Sequence, residues 1–254
     1  MTTKVPKTSS TFRRSCDEVS LLVSATHHFI RADGSVVEVG TTDRDDGDFH
    51  IDAEPVALES RRADVMPGRW AVVRQVHGTS VADASSIRAG AALAPEADAI
   101  ITDLVDQPIA VQGADCAPIA FITDRGPIAV AHAGWRGLIN GVVRSVVEEL
   151  AARGARVERA IIGPVIGPEC YEFGAADLVE VETRLGSDVR GVTSSGSPAL
   201  DMRAAITKSF ADAGVDDVQF VAGCTACANS GFSHRARKET QRHAVVARIV
   251  GATT

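Results

Sequence analysis

A series of short β-rich runs in the first half of the chain most constrains what it can fold into. Each run is five to seven residues long, with Gly, Pro or Asp marking the turns between runs. Such runs are typical of strands joined by tight turns. They are WAVVRQV (70–76), ADAIITD (97–103), PIAVQ (108–112), PIAFITD (118–124) and PIAVAHA (127–133).

The second half of the chain adds helices and further strands. From Leu138, apolar residues recur at helical spacing, and Gly154 lies just past the end of the pattern. Helices are also expected at residues 175–185 and 202–214, the second with Asp201 as its N-cap. Strands mixed with helices and joined by short turns predict an α+β domain (α/β-like) with a mixed sheet. The remaining strand signals are AIIGPVIGP (160–168), which runs into a Pro/Gly turn, DVQFVAGC (217–224) and RHAVVARIV (242–250).

The domain organisation follows from length and composition. A chain of 254 residues is long enough for a sizeable core, and it carries neither an internal repeat nor a low-complexity linker. We expect a single domain at residues 36–254, preceded by a loosely held extension at residues 1–35. The extension is polar and lacks the apolar stretch of a secretory signal. The densest turn signals, residues 41–48 and 193–198, predict loops.

Charge and cysteine content exclude several classes of protein. The formal net charge of −7 argues against a general nucleic-acid binder, because no basic surplus neutralises phosphates. No apolar run approaches the roughly 20 residues of a membrane span. Five cysteines in a chain this long do not form a disulfide framework, so we expect a cytoplasmic protein with free thiols. No protein partner can be inferred.

Three sequence islands carry residues suited to one metal site. His77 in RQVHG, Cys116 in GADC and His132 in AVAHAGWRG lie at strand ends or in the turns beside them. One thiolate and two imidazoles suit zinc, and three protein ligands leave the open position of a catalytic site. Each residue alone also fits a structural role, as a hydrogen-bonded histidine or a buried cysteine. Their separations match no compact metal motif.

A resemblance to a known family favours the interpretation that these three residues bind a metal. RQVHG, ADAIITD, GADCAPI, AHAGWRGL, IGPVIGPECYEFG and CTAC…FSHR occur in order over residues 74–235. Together they resemble the YfiH-type laccase-domain family, also called the peptidoglycan-editing-factor or purine nucleoside phosphorylase family. The resemblance implies that His77, Cys116 and His132 bind one zinc. It also implies mixed β-sheets flanked by helices, in a fold similar to that of the cytotoxic necrotizing factor deamidases.

The same resemblance implies an activity on purine nucleosides. It implies phosphorolysis of adenosine, inosine, guanosine or methylthioadenosine, together with deamination of adenosine. Zinc chemistry accounts for deamination directly. Zinc lowers the pKa of bound water, and the resulting hydroxide attacks the purine carbon that bears the amine. Phosphorolysis further requires a cation that holds phosphate near the sugar. The implied ligands are therefore purine nucleosides and phosphate.

Further polar residues near the islands are candidates for substrate and catalytic roles. The expected phosphate-binding cations are Arg136, at the start of a predicted helix, Arg44 and Arg235. Arg44 lies where the family carries a Thr-Thr-Arg loop, but Asp43 is inserted before it here. Gln75 would bind substrate or orient a ligand. The catalytic candidates are Cys116, Asp115 as a general acid or base, and Arg136.

Two other functions remain open on sequence alone. The family's older label implies a copper-binding polyphenol oxidase, and Cu²⁺ would occupy a His/Cys/His site in vitro because it outcompetes zinc for most ligands. Multicopper enzymes use His-x-His pairs, however, and none occurs among the seven histidines here. The third possibility is an amide hydrolase that edits cell-wall precursors, with Cys116 as nucleophile and a histidine as base, or with zinc. The pair Cys224 and Cys227 gives only weak support for structural zinc.

Overall fold

A computed structural model describes residues 25–87, 94–228 and 230–251, so Cys16 and most of the expected extension lie outside the described residues. The strands are β1 (Ala25–Ile30), β2 (Val36–Thr41), β3 (Val81–Asp83), β4 (Ala99–Thr102), β5 (Ile109–Gly113), β6 (Ala117–Thr123), β7 (Ile128–Ala133), β8 (Val157–Ile162), β9 (Arg190–Val192), β10 (Pro198–Leu200), β11 (Val218–Phe220) and β12 (His243–Val250). The helices are α1 (Pro55–Val65), α2 (Trp135–Asn140), α3 (Val142–Ala152), α4 (Ala175–Leu185), α5 (Met202–Asp212) and α6 (His234–Arg237).

The described strands form two main sheets and a small hairpin. A four-stranded antiparallel sheet has the order β1-β2-β12-β5, and a six-stranded sheet has the order β11-β8-β6-β7-β4-β3. The six-stranded sheet is mixed, because β3 pairs with β4 and β11 pairs with β8 in parallel, whereas its other pairs are antiparallel. Strands β9 and β10 form the hairpin around the predicted loop 193–198. The predicted α+β class with mixed sheets flanked by helices is confirmed.

The six-stranded sheet is buried on both faces. Along β6, Ile119 and Phe121 face a core shared with helices α2 to α5, whereas Ala120 and Ile122 face the four-stranded sheet. This alternation follows from the two-residue period of a strand. Helix α1 covers the other side of the four-stranded sheet through Leu58. The rigid strands at the centre can therefore hold side chains in fixed positions at their ends.

The predicted strand at residues 70–76 is wrong. Only isolated bridges form there, Ala71 with Ile109 and Arg74 with Glu96. The segment passes from the edge of β5 in one sheet toward the residues preceding β4 in the other, so it cannot sustain a ladder with either. The Gln75 side chain replaces part of that ladder, because it bonds both the N–H and the carbonyl of Gln112.

The helix predicted from Leu138 is interrupted. Gly141 adopts a left-handed conformation, with φ +92°, and separates α2 from α3. Helix α3 ends at Ala152, just before Gly154, and α4 covers residues 175–185 as predicted. Asp201 caps α5 by accepting a hydrogen bond from the N–H of Ala204, also as predicted. Strand β11 is shorter than the predicted run at 217–224.

The beginning of the described chain contributes to the sheet. Strand β1 lies inside the expected extension, residues 1–35, and pairs along its whole length with β2. Through residues 25–87, 94–228 and 230–251, we find no helix with the length and apolar character that crossing a membrane requires. The prediction of a boundary at residue 36 stays a prediction.

Candidate metal centre

His77, Cys116 and His132 converge at one end of the six-stranded sheet. One ligand atom of each lies within 4.8 Å of one ligand atom of the other two. The Cys116 Sγ lies 3.8 Å from the His77 Nε2, and the two imidazole rings meet edge to face with centroids 4.8 Å apart. His132 belongs to β7, Cys116 immediately precedes β6, and His77 lies in the turn before β3.

The buried carboxylate of Asp98 organises two of the three residues. It accepts hydrogen bonds from the backbone N–H groups of Val76, His77 and Gly78 at 3.2, 2.9 and 2.6 Å. It also lies 2.9 Å from the His132 Nδ1. Because a carboxylate only accepts, Nδ1 carries the proton and Nε2 is left to bind a metal. Asp98 thus fixes both the turn that presents His77 and the tautomer of His132.

Two turns at the site adopt unusual backbone conformations. His77 has φ +61° and Asp115, beside Cys116, has φ +91°. Positive φ is rare for residues other than glycine and is retained where surrounding contacts enforce it. For His77, the hydrogen bond from its own N–H to the Asp98 carboxylate supplies that enforcement. For Asp115, the carboxylate accepts bonds from the hydroxyl of Thr225 and the N–H of Arg235, both at 2.6 Å.

A glycine leaves room for the cluster. Gly134 follows β7 and is the N-cap of α2. A Cβ at this position would lie 2.8 Å from the His77 Cδ2, closer than real Cβ contacts, and 3.0 Å from the Cys116 Sγ, tighter than most of them. The chain therefore brings its backbone against both ligands, and any side chain here would displace them.

The cluster is electrostatically coupled. Burial disfavours charge on Cys116 and on His132, but their mutual attraction and the hydrogen bond from His132 to Asp98 outweigh it. The pKa of the Cys116 thiol is therefore lowered and the pKa of His132 is raised. Both shifts favour a thiolate beside an imidazolium when no metal is bound. A divalent metal ion would replace the proton on His132 and keep the thiolate.

The donor set fits a metal ion. One sulfur and two imidazole nitrogens are soft and borderline ligands that suit zinc or copper. His132 is buried and His77 is exposed, so the cluster is closed by protein on one side and faces a cavity on the other. Three protein ligands with an open side are typical of catalytic rather than structural sites.

The cavity beside the cluster has a volume of about 440 Å³. Of the predicted substrate and catalytic residues, Gln75, Asp115 and Arg235 line it together with the three ligands. The Gln75 amide is engaged with Gln112, and the Asp115 carboxylate holds Thr225 and Arg235, so both residues shape the cavity wall. The roles predicted for Gln75, Asp115 and Arg235 stay predictions.

Arg44 and Arg136 are not among the residues that line this cavity. The Arg44 guanidinium bonds the carboxylate of Glu239 at 2.7 Å and lies over the ring of Phe232. Arg136 is exposed on α2 and lies over the indole of Trp135, with its Cζ 4.2 Å from the ring centroid. Their predicted contacts with substrate or phosphate stay predictions.

Several cavity residues were missed by sequence reasoning. His50, Arg74, His234 and Arg242 line the wall beyond the metal ligands. His50 and Arg242 lie in loops outside the motifs, whereas Arg74 belongs to RQVHG and His234 to FSHR, where only neighbouring residues were selected as candidates. Tyr171 was not missed, because it belongs to the motif IGPVIGPECYEFG that the sequence singles out; it lines the cavity, and burial raises its pKa to about 12. Asp98 was missed too, although it lies in the ADAIITD motif.

Comparisons with known proteins find one matching family model and several related proteins. The family model described as multi-copper polyphenol oxidoreductase laccase matches residues 37–250. A purine nucleoside phosphorylase of Mycobacterium tuberculosis is 34% identical over 77% of this chain and 80% of its own length. One of Corynebacterium glutamicum is 32% identical over 78% and 83%. A protein named adenosine deaminase RL5, from an unknown prokaryotic organism, is 34% identical over 53% and 55%.

Solved structures share the fold. YlmD of Geobacillus stearothermophilus has a TM-score of 0.71 at 26% identity and covers 86% of this chain and 93% of its own. The hypothetical protein YfiH of Bacillus licheniformis has a TM-score of 0.73 at 23% identity, with coverages of 87% and 98%. The likeness to YfiH concerns the fold alone.

Proposed function

The chain belongs to the family described as multi-copper polyphenol oxidoreductase laccase, and from that premise we propose that it is a zinc-dependent purine nucleoside phosphorylase that also deaminates adenosine. One observation carries the proposal. His77, Cys116 and His132 meet at the wall of a cavity of about 440 Å³, within the range of small-molecule sites. Relatives with the printed names purine nucleoside phosphorylase and adenosine deaminase support the choice of substrate.

The chain's own residues would divide the work between a metal site and an anion site in the cavity. His77, Cys116 and His132 would hold the metal, and Asp98 keeps His132 in the ligating tautomer. A zinc ion bound there would supply Lewis acidity and an open position for water. In deamination, water adds to the purine carbon that bears the amine, and ammonia leaves.

Arginine side chains also line the cavity. Arg235 donates to the carbonyl of Glu172 at 2.7 Å and lies over the ring of Tyr171, with its Cζ 4.6 Å from the centroid. Arg242 is held by the carbonyls of residues 239–241. Guanidinium groups fixed in this way lose little freedom when they bind an anion. We assign them to phosphate, whose oxygen attacks the anomeric carbon of the ribose while the purine leaves.

Tyr171 is suited to the nucleoside itself. It lines the cavity, and its raised pKa keeps the phenol protonated at neutral pH, so it can both donate and accept a hydrogen bond. The aromatic ring contacts Phe173 edge to face and Arg235 on its face, which holds it in place. A neutral hydroxyl on a fixed ring would orient a purine or a ribose without adding charge.

Copper oxidation is less well supported by the site. A blue-copper centre adds a weak axial ligand such as methionine to two histidines and one cysteine. Met66 and Met202 lie in the hydrophobic core instead. A second candidate, covalent amide hydrolysis, is favoured by one observation, the Cys116 Sγ lying 3.8 Å from the His77 Nε2, as a nucleophile beside a base.

The test is a panel of purine nucleosides assayed with and without phosphate. We expect release of base from inosine only with phosphate, and release of ammonia from adenosine in either case. His77→Gln should lower both rates at least about 100-fold, because it removes a metal ligand. His28→Gln is the matched control, since His28 lies on the edge strand β1 beside Glu38 and is not among the residues that line the cavity.

Three outcomes would oppose the proposal. Activity in His77→Gln equal to that of His28→Gln would exclude a role for the metal. Stoichiometric copper with oxidation of phenols, and no nucleoside turnover, would favour the oxidase. Turnover of amides that survives complete chelation of metal would favour Cys116 as a nucleophile.

A further inference from the structure

A second cluster of metal-ligating side chains lies apart from the one described above. Glu169, Cys170, Cys224 and Cys227 each offer a ligand atom, and these atoms all lie within 4.8 Å of one another. We call these four residues the sulfur cluster. The Sγ atoms of Cys170 and Cys227 are 3.2 Å apart, and the Cys227 Sγ is 3.3 Å from the Glu169 Oε1.

Two turns from distant parts of the chain build the sulfur cluster. Glu169 and Cys170 belong to a short 3₁₀ turn at Pro168–Cys170, whereas Cys224 and Cys227 begin and end a turn after β11. A single backbone bridge between Val165 and Cys224 keeps the two segments side by side.

The backbone around Gly167 also shapes the cluster. The N–H of Gly167 donates to the Cys224 Sγ at 3.1 Å. A Cβ at position 167 would overlap the carboxylate of Glu169. Without that Cβ, the carboxylate folds back toward the three sulfurs rather than out to solvent. The glycine thus permits a carboxylate and three sulfurs to share one small volume.

The oxidation state of the cysteines differs. Cys170 and Cys224 are free thiols, whereas Cys227 is disulfide-bonded. The expectation that the thiols are free therefore does not hold for Cys227. We propose that reduction of this disulfide completes a second zinc site, in which Glu169, Cys170, Cys224 and Cys227 bind one Zn²⁺.

The chemistry of the four donors matches zinc. Tetrahedral Zn–S bonds of about 2.3 Å place sulfurs roughly 3.8 Å apart, within the spread of the observed ligand atoms. Thiolates select zinc over harder ions, and a carboxylate oxygen completes four ligands. Because no position stays open, the site is structural, unlike the His77, Cys116 and His132 site.

A dithiol supplies the electrons and protons that reduction of the disulfide requires. The dithiol transfers two electrons and two protons to the disulfide of Cys227, whose S–S bond breaks to give the Cys227 thiol and the thiol of its partner cysteine, and the reductant leaves as a cyclic disulfide. Each of the three thiols of the sulfur cluster then releases its proton to solvent when it binds Zn²⁺. The metal therefore binds only the reduced chain, and oxidation removes one ligand and weakens the site.

The position of the sulfur cluster indicates what the metal would hold together. Tyr171 follows Cys170 directly and lines the cavity, and Thr225 follows Cys224 and bonds the carboxylate of Asp115. Zinc in the sulfur cluster would join the two turns that carry these contacts. The inference does not depend on which reaction the cavity performs.

The experiment counts zinc in protein treated with a dithiol and then desalted without oxygen. We expect two zinc ions per reduced wild-type chain and one per unreduced chain. Reduced Cys227→Ser and reduced Cys116→Ser should each bind one, at different sites. Cobalt(II) separates these sites, since the sulfur-to-cobalt absorption of Cys116→Ser, with three thiolates, should be roughly three times that of Cys227→Ser.

The result that overturns the inference is equal zinc in reduced wild type and reduced Cys227→Ser. Circular dichroism checks that each variant folds. If Cys227→Ser does not fold, Glu169→Gln keeps every sulfur and should weaken the second zinc at least about tenfold. Unchanged affinity in that variant would equally contradict the site. Nucleoside turnover is a separate measurement, so failure of the second zinc site leaves the proposed function untouched.

Discussion

Replacing Asp98 by asparagine tests how the metal centre is built. The wild-type carboxylate is fully buried and receives four hydrogen bonds, two on each oxygen. One oxygen accepts from the His77 N–H and the His132 Nδ1, and the other accepts from the N–H groups of Val76 and Gly78. Asparagine keeps the shape but replaces one oxygen by an NH₂ group, which cannot accept.

The structure gives the size of the effect. Whichever way the amide of Asp98→Asn turns, two of the donors that the carboxylate satisfies, buried or partly buried, face another donor. Each unsatisfied buried donor costs about 1–3 kcal/mol, so the free energy of unfolding should fall by roughly 2–6 kcal/mol. Loss of the carboxylate that orients a metal-bound histidine should weaken zinc binding about 10- to 100-fold.

Two measurements check the prediction. Urea denaturation gives the change in the free energy of unfolding, and competition with a chromophoric chelator gives the zinc affinity. Asp124→Asn is the matched control, because the Asp124 carboxylate also accepts a backbone N–H, that of Arg156 at 2.9 Å. Asp124 lies just beyond the opposite end of β6 from Cys116, so its variant should keep wild-type zinc affinity.

The reasoning is refuted if Asp98→Asn binds zinc as tightly as Asp124→Asn does. A loss of stability without a loss of zinc affinity would also contradict it, since the same carboxylate holds the fold of the turn and the tautomer of the ligand. For that comparison, zinc binding is measured without urea, on protein shown to be folded.

Three further predictions address the site and the scaffold. Gly134→Ala should abolish zinc binding at the site of His77, Cys116 and His132, because its Cβ would contact two of these ligands, whereas Gly174→Ala, at the N-cap of α4 with open space around it, should not. In metal-free protein, alkylation of Cys116 should rise with pH through its lowered pKa of about 6 rather than through 9.0, and then level off. Asp201→Ala should lower the free energy of unfolding by about 0.5–2 kcal/mol, because α5 loses its cap.

Each of these has a clear contrary result. Equal zinc affinity in Gly134→Ala and Gly174→Ala would mean that the ligands are not packed against the backbone. Alkylation that continues to rise above pH 8, followed by mass spectrometry of the Cys116 peptide, would deny the thiolate. For Asp201→Ala, an unfolding midpoint in urea identical to that of the wild type would show that the cap carries no stability.

The central strands were predictable because burial on both faces makes them continuous apolar runs. Strands β4 to β7 lie within the predicted runs or one residue beyond them, and β12 matches the run at residues 242–250. The segment at residues 70–76 has the same composition, yet it crosses between two sheets. The composition of a segment indicates that it is buried and extended, but not which strand it pairs with. The local sequence therefore could not show that residues 70–76 form no strand.

The metal ligands were recognisable only through the family resemblance. Their separations of 39 and 16 residues carry no spacing rule, and the geometry arises from tertiary contacts such as those of Asp98. For the arginines, a position in or near a motif did not indicate where the side chain lies. Arg44 and Arg136 were selected by motif position, but each guanidinium instead lies over an aromatic ring outside the cavity lining.

The sulfur cluster shows why pairwise motifs mislead. Cys224 and Cys227 alone form a weak CxxC signal, and the sequence does not place Glu169 or Cys170 beside them. The bridge between Val165 and Cys224 brings these segments together in the fold. Contacts between segments almost 60 residues apart, here Cys170 with Cys227, are set by sheet topology.

X-ray absorption at the zinc edge on reduced Cys227→Ser is the most direct test of the metal centre, because that variant retains only one of the two sites. The account predicts one sulfur at about 2.3 Å and two imidazole nitrogens at about 2.0 Å from the zinc. A shell without sulfur, or one with two or more sulfurs, would contradict the assignment of His77, Cys116 and His132.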